Sequence, residues 1–336
     1  MNATNGSVAT SPMTPNPTQR QIFGMRVQMR FLAIWIALAA LVLAGALFLP
    51  RSVQPSAIQS ILPFAAFLAI ASMGQALVIM ARGIDLSVPA SVTLASTVLL
   101  GVSGGADDRL VPAILAAIGA AALVGLVNGV LVAALRLNAL IVTLAVGAIV
   151  GGITLWYRQG FRAEVTVPAA MSEFGGGRLL GVNSAVWIAL ILVALSTFVL
   201  RKTIIGRRFE AVGANPDAAR ASGLEVMRYQ AGAFVCAAIL YGIAGLLLSA
   251  FIRNPTLGVG DPYLLAPIAA AVLGATSIKG GIGSMVAVLG AALFLTQLGQ
   301  LLKLIGLETP YQLIIQGLAI VVGMWLSGFW EKRQKS

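Results

Sequence analysis

The sequence predicts an all-α integral membrane protein of about ten transmembrane helices, with both termini in the cytoplasm. Three observations lead there. Of the 336 residues, 59% are hydrophobic and 10% are charged, with mean hydropathy +0.94, whereas soluble domains carry about a quarter charged residues. The apolar residues gather into stretches of about 20, the length that crosses a hydrocarbon core of about 30 Å. Gly, Ala and Leu dominate these stretches without barrel-type alternation, so helices are the only spanning form available. Finally, with the N-terminus placed inside, fifteen of the twenty-two Lys and Arg residues fall on the cytoplasmic side, in keeping with the positive-inside rule.

Taken in chain order, residues 1–30 begin MNATNGSVATSPMTPNPTQR. This stretch is rich in Ser, Thr, Asn and Pro and reads as a disordered cytoplasmic tail. A transmembrane domain then occupies 31–329, with spans expected at 31–49, 57–80, 84–103, 110–135, 138–157, 184–200, 229–252, 263–278, 282–302 and 310–329. Residues 330–336 form a cytoplasmic C-terminal tail. Two connections are long. The external 158–183 loop carries GGG at 175–177 and has room for a short re-entrant or surface helix. The cytoplasmic 201–228 loop holds six of the fifteen basic residues on its side.

Ten spans divide into five and five, a number that places the halves in opposite orientation. GIDLSVPASVTL at 83–94 and GDPYLLAPIAAAVLG at 260–274 each open a span from a Gly/Asp turn with Pro near its start. Such a pair is compatible with a 5+5 inverted repeat and a central pathway between the halves. Chance recurrence of Gly/Asp/Pro turns accounts for it equally well.

The polar inventory excludes several classes. There is no His, and Cys236 is the single Cys. His-based metal sites, Ser/His/Asp triads and an internal disulfide are therefore ruled out, and no metal or cofactor is expected. Cys236 lies in an apolar run and reads as a small buried hydrophobe. The +11 net charge follows from the cytoplasmic Lys and Arg and implies no nucleic-acid partner. An intramembrane enzyme lacks any nucleophile–base set. The nearest P-loop fragment, GATSIKGG at 274–281, lacks the phosphate-cradling ending, so ATP is expected to bind a separate subunit.

Within the spans Asp85 is the one charged side chain. Its place at the start of 84–103 suggests a cytoplasmic-mouth cap on free N–H groups, with Arg82 near enough to pair; a gate or direct solute contact is the other reading. The remaining polar groups are neutral: Gln75, Asn128, Thr143, Thr154, Thr296, Gln297, Gln300 and Gln316. They suit an uncharged polar solute and equally suit interhelical contacts. Gly125 with Gly129 and Gly147 with Gly151 match the close-packing G-x-x-x-G pattern. The lack of a midplane carboxylate argues against a stand-alone ion-coupled secondary transporter, which is the alternative function.

The cytoplasmic loop reads RKTIIGRRFEAVGANPDAARASGLEVMR. Asn215 and Pro216 make a helix start, Asp217 suits the positive end of the dipole, and Gly223 closes a run of small residues. Such a helix suits docking on a soluble partner, and it equally suits a solvated loop.

This loop resembles the G-R-x-x-x-A-x-G-x-N-x-x-A-A-x-x-S-G segment of permeases in the ribose/xylose/galactoside branch of ABC importers, at Gly206, Arg207, Ala211, Gly213, Asn215, Ala218, Ala219, Ser222 and Gly223. The same family's G-I-D-L-S motif is similar to residues 83–87, and its I-A-A-x-x-L-G-x-T-S-x-x-G-G-x-G-S motif to Ile268 through Ser284. Gly125–Gly129 and Ile141–Leu144 add two more matches in order, over about residues 60–325. Arg82, Pro89 and Ala275 depart from the family pattern, Arg82 standing where a small or hydroxyl residue is usual and Ala275 at a common Gly position.

The resemblance implies a non-enzymatic permease subunit of the bacterial cytoplasmic (inner) membrane. It would import a monosaccharide by ATP-driven alternating access; a nucleoside or a furanose-like signalling molecule remains open. Implied partners are a cytoplasmic ATP-binding subunit, an external or periplasmic sugar-binding protein and a second permease copy, identical or paralogous, all within membrane lipid. Coupling to the ATP-binding subunit would fall to Arg207, Gly213, Ala214, Asn215, Ala218, Ala219, Ser222 and Gly223. The path or gate would involve Asp85, Ser87, Gln75, Asn128, Thr143, Thr276, Ser277 and Gln297.

Overall fold

The computed structural model describes residues 17–161 and 165–308 and parts of 310–321, with helix alone for 17–30. Its long helices are α1 (Pro17–Phe48), α2 (Pro55–Met80), α3 (Val88–Ser103), α4 (Leu110–Gly129), α5 (Ala139–Gln159), α7 (Ser184–Lys202), α10 (Val226–Ile252) and α12 (Met285–Leu304). Short ones are α6 (Ala169–Gly176), α8 (Ile204–Ala214), α9 (Pro216–Ala221) and α11 (Ala266–Leu273). One hairpin, β1 (Arg178–Leu179) against β2 (Val182–Asn183), supplies the sheet among the described residues. The fold is all-α, as the composition requires.

Seven helices among the described residues are long and apolar enough to cross a membrane: α1, α2, α4 with its flanking turns, α5, α7, α10 and α12. They coincide with seven of the expected spans. Two others are corrected. The expected 263–278 span is only the eight-residue α11, about 12 Å long. It is stopped by Gly274 and by Ala275, whose φ of +60° no helix can contain. The 84–103 span begins at Val88, because residues 83–87 are not helical, and its sixteen residues cover about 24 Å. The 310–329 span lies largely outside the described residues. The tail is shorter than expected: residues 17–30 continue α1 as helix, since Gln, Arg and Met are good helix formers behind Pro17. Residues 1–16 and 330–336 lie outside the described residues.

The most buried spans are α2 and α10. Around α10 pack α2, α3 and α4, while α12 packs on α2 and α1, and α5 on α3. Small residues allow this closeness. A Cβ on Gly125 would sit 2.5 Å from the Phe234 carbonyl oxygen, and one on Gly129 would sit 2.8 Å from that of Ala231. These two glycines therefore seat α4 on α10, as their spacing predicts. The second pair behaves differently. Gly147 lies 3.3 Å (as an added Cβ) from Ser87 Cα, but Gly151 meets nothing within 4 Å.

Each face of the bundle carries one of the long connections. The 158–183 loop forms α6, whose Gly175 abuts Ala250 near the end of α10, while Val167 N–H donates to Arg253 C=O at 3.1 Å. At the opposite end the 201–228 loop forms α8 and α9 beneath the end of α2. Cys236, expected inside, is exposed. It lines an apolar groove of about 690 Å³ between α7 and α10.

Candidate translocation and coupling sites

The stretch 83–87 interrupts what would otherwise be a helix-to-helix turn, and most of its peptide groups find partners elsewhere in the bundle. Gly83 N–H donates to Val78 C=O at 2.9 Å. Ile84 C=O faces the Thr143 hydroxyl at 3.4 Å, and Leu86 N–H donates to the same Oγ1 at 2.9 Å. Asp85 is bracketed by Gln75: Oε1 accepts from Asp85 N–H at 3.2 Å, while Nε2 reaches Asp85 C=O at 3.1 Å and the Tyr241 hydroxyl at 3.1 Å. Ser87 N–H donates to Asp85 Oδ1 at 2.8 Å, and Ser87 C=O accepts from Ser91 N–H at 2.9 Å as α3 begins. In hydrocarbon each unpaired peptide group costs several kcal/mol, so these side chains are what permits an unwound segment here.

Further side-chain contacts complete the cluster. Ser87 Oγ donates to Asp85 Oδ1 at 2.6 Å and accepts from Asn128 Nδ2 at 2.9 Å. Gln75, Asp85, Ser87, Asn128, Thr143 and Tyr241 are all fully buried. Asp85 Oδ2 and Asn128 Oδ1 have no hydrogen-bond partner among the described residues. Asp85 is thus not at a mouth: Gln75 beside it lies five residues inside the end of α2, about 8 Å in. Its capping role survives only in the Ser87 N–H bond. The expected pairing with Arg82 is absent, because that guanidinium turns to Gly213 and Ala214.

Five of the eight expected path residues therefore meet in one cluster, and three do not. Thr276 and Ser277 lie in the α11–α12 turn; Thr276 abuts Gly283 together with Met80, at the end of α2. Gln297 is on α12 one turn from Gln300, whose Nε2 donates to Ala57 C=O near the other end of α2. Tyr241 escaped the sequence reading because it sits in an apolar run. Its signal is a phenol at mid-helix, since a buried hydroxyl needs a partner; Gly74 makes room for its ring, with a Cβ there 2.6 Å from Cε1.

Beside the cluster runs a groove of about 400 Å³ between α3, α5 and the 257–261 loop. Leu86 and Pro89 line one end, Gly147 and Gly151 the α5 wall, and Thr93, Thr154 and Asp261 supply its polar groups. Gly260 N–H donates to Thr93 Oγ1 at 3.1 Å.

The α8–α9 segment forms as its residues dictate. Asn215 Oδ1 accepts from Asp217 and Ala218 N–H at 3.1 and 3.0 Å, and Pro216 opens α9. Gly223 ends it with φ +79°. Ala219 is buried in a small cluster with Val212 and Val226. Arg207, Ala214, Asn215, Ala218, Ser222 and Gly223 are exposed, while Gly213 is buried. On α8, burial raises the carboxyl pKa of Glu210, with nearby Arg201 opposing the shift.

A model of the branched-chain amino acid transport system permease component matches residues 57–324. The chain belongs to this family of ABC importer permeases. It is 36% identical to the ribose import permease of Escherichia coli K12 over 76% of this chain and 80% of that protein. It is 32% identical to the L-arabinose ABC transporter permease of Azospirillum brasilense, over 84% and 83% respectively. To the autoinducer 2 import system permease of Escherichia coli (K12/DH10B) it is 34% identical, over 79% and 77%. No solved structure matches the chain. This permease is accordingly a multi-pass inner-membrane subunit of a binding-protein-dependent importer, and a transporter component rather than an enzyme. Membership of the family implies an ATP-binding subunit and a solute-binding protein as partners, and it sets aside the stand-alone secondary transporter.

Proposed function

We propose that this permease carries a monosaccharide, or a small neutral polar solute of similar chemistry, into the cytoplasm by ATP-driven alternating access. The observation that carries the reading is the naming of its relatives for ribose, L-arabinose and autoinducer 2. The groove supports it. A branched-chain amino acid brings a carboxylate, yet no Lys or Arg lines the groove, whose polar groups are Thr93, Thr154 and the rim carboxylate of Asp261. Hydroxyls suit a neutral polyol.

In this reading the groove and the Asp85–Ser87–Asn128 cluster at its end form one wall of the path, with the 83–87 turn as its gate. A second copy, identical or closely related, supplies the opposite wall, and lipid covers the rest of the exposed apolar surface. Along α5, Ile141, Leu144, Ile149, Ile153 and Trp156 are exposed by half or more and offer a surface for the second copy. The 201–228 segment, bearing Arg201 and Lys202 at the end of α7, Arg207 and Arg208 on α8, Arg220 on α9 and Arg228 at the start of α10, looks to the cytoplasm. There α9 docks on the ATP-binding subunit.

The test is uptake into proteoliposomes containing the permease, its ATP-binding subunit and its solute-binding protein. ATP-dependent accumulation of labelled D-ribose, L-arabinose or another pentose is expected. Accumulation of L-leucine in place of sugars would overturn the substrate class.

A further inference from the structure

Arg82 departs from the sequence pattern around it and also holds an unusual backbone, with φ +69°. For a residue with a side chain that conformation costs about 1–2 kcal/mol, so something in the fold must hold it. Its side chain shows what does. Nε donates to Gly213 C=O at 2.7 Å, and Nη2 donates to Ala214 C=O. These are the last carbonyls of α8, free acceptors at the negative end of the helix dipole. A planar guanidinium can satisfy two of them at once.

The same point joins a third segment. Gly281 N–H donates to Met80 C=O at 2.9 Å. A Cβ on Gly213 would lie 2.1 Å from the Met80 carbonyl oxygen and 2.6 Å from Gly281 N, and one on Gly280 would lie 2.5 Å from the Gly213 carbonyl oxygen. The end of α2, the end of α8 and the α11–α12 turn therefore meet backbone to backbone where Arg82 makes its bonds. Arg82 stands three residues before Asp85, and its acceptors immediately precede Asn215, the cap of α9.

We propose that Arg82 is a positioning residue that ties the α8–α9 segment to the 83–87 turn, so that displacement of α9 is transmitted to the buried cluster. This rests on the reading of α9 as the element docked on the ATP-binding subunit. A helix cap alone would stabilise α8; a link also makes the 83–87 turn respond to ATP.

Hydrogen–deuterium exchange on the permease assembled with its ATP-binding subunit, with and without ATP plus vanadate, separates the two. In the wild type, peptides covering 80–90 and 204–223 are both expected to change exchange on trapping. In Arg82→Ala the change at 204–223 is expected to persist while that at 80–90 shrinks about tenfold. Arg82→Lys, able to reach one carbonyl, is expected to fall between, and it serves as the test if Arg82→Ala does not assemble. A wild-type-sized change at 80–90 in either variant, with 204–223 also responding, overturns the link alone. No protection of 204–223 by the subunit in the wild type overturns the docking reading and the link with it.

Discussion

The side-chain amide of Gln75 brackets the peptide of Asp85, with Oε1 3.2 Å from its nitrogen and Nε2 3.1 Å from its oxygen. A side chain on α2 thus replaces the helical hydrogen bonds that residues 83–87 give up. Gln75→Leu keeps the volume and removes both partners. Each buried group left unpaired costs about 1–3 kcal/mol. We expect a clear fall in the thermal midpoint of the purified protein together with loss of uptake, and Gln75→Asn, one methylene shorter, should lie between. An unchanged melting curve for Gln75→Leu would show that the turn does not depend on this bracket.

Asp85 has one oxygen that holds Ser87 and one without a partner among the described residues. Asp85→Asn retains the acceptor and alters the other position, so it should melt as the wild type does while importing more slowly. Asp85→Ala strands the Ser87 N–H and hydroxyl and should lose about 1–3 kcal/mol of stability. Parallel thermal melts and uptake assays distinguish the roles; loss of stability and uptake in equal step for both variants would leave Asp85 a structural residue.

The neighbouring alanines of α9 should behave differently. Ala219 is 5% exposed and packs with Val212 and Val226, whereas Ala218 is exposed. Ala219→Phe overfills a small core, a change worth about 1–3 kcal/mol, and should lower stability. Ala218→Arg should leave the melt unchanged and weaken co-purification of the ATP-binding subunit. Full retention of that subunit by Ala218→Arg would remove Ala218 from the docking surface.

Gly151 tests the groove. An added Cβ there meets nothing within 4 Å, so Gly151→Leu should fold normally, and in a solute path it should slow uptake. At Gly147 an added Cβ comes 3.3 Å from Ser87 Cα, so Gly147→Leu should disturb the turn and cost stability too. Normal uptake by a stable Gly151→Leu protein would place the path elsewhere.

Much of this was legible in the residues themselves. Apolar length and composition determine which segments can span, because lipid admits only helices with internally paired backbones. Asn215, Pro216 and Gly223 determine where α9 starts and stops, because caps and breakers act locally. Gly125 and Gly129 point to a close helix contact by their spacing, although Gly147 and Gly151 share that spacing and Gly151 meets nothing within 4 Å. What only the tertiary structure decided is which polar groups serve one another across the bundle. Gln75 meets Asp85 across the α2 turn, Asn128 meets Ser87, and Tyr241 stands behind Gln75, although 166 residues separate those last two. Arg82 reaches Gly213 instead of the carboxylate three residues away, and the 263–278 stretch, apolar enough to span, stops as a half-helix at Ala275. Local chemistry sets where helices begin and end. The partners of a buried polar group depend on how the helices pack, and no spacing along the chain encodes that directly.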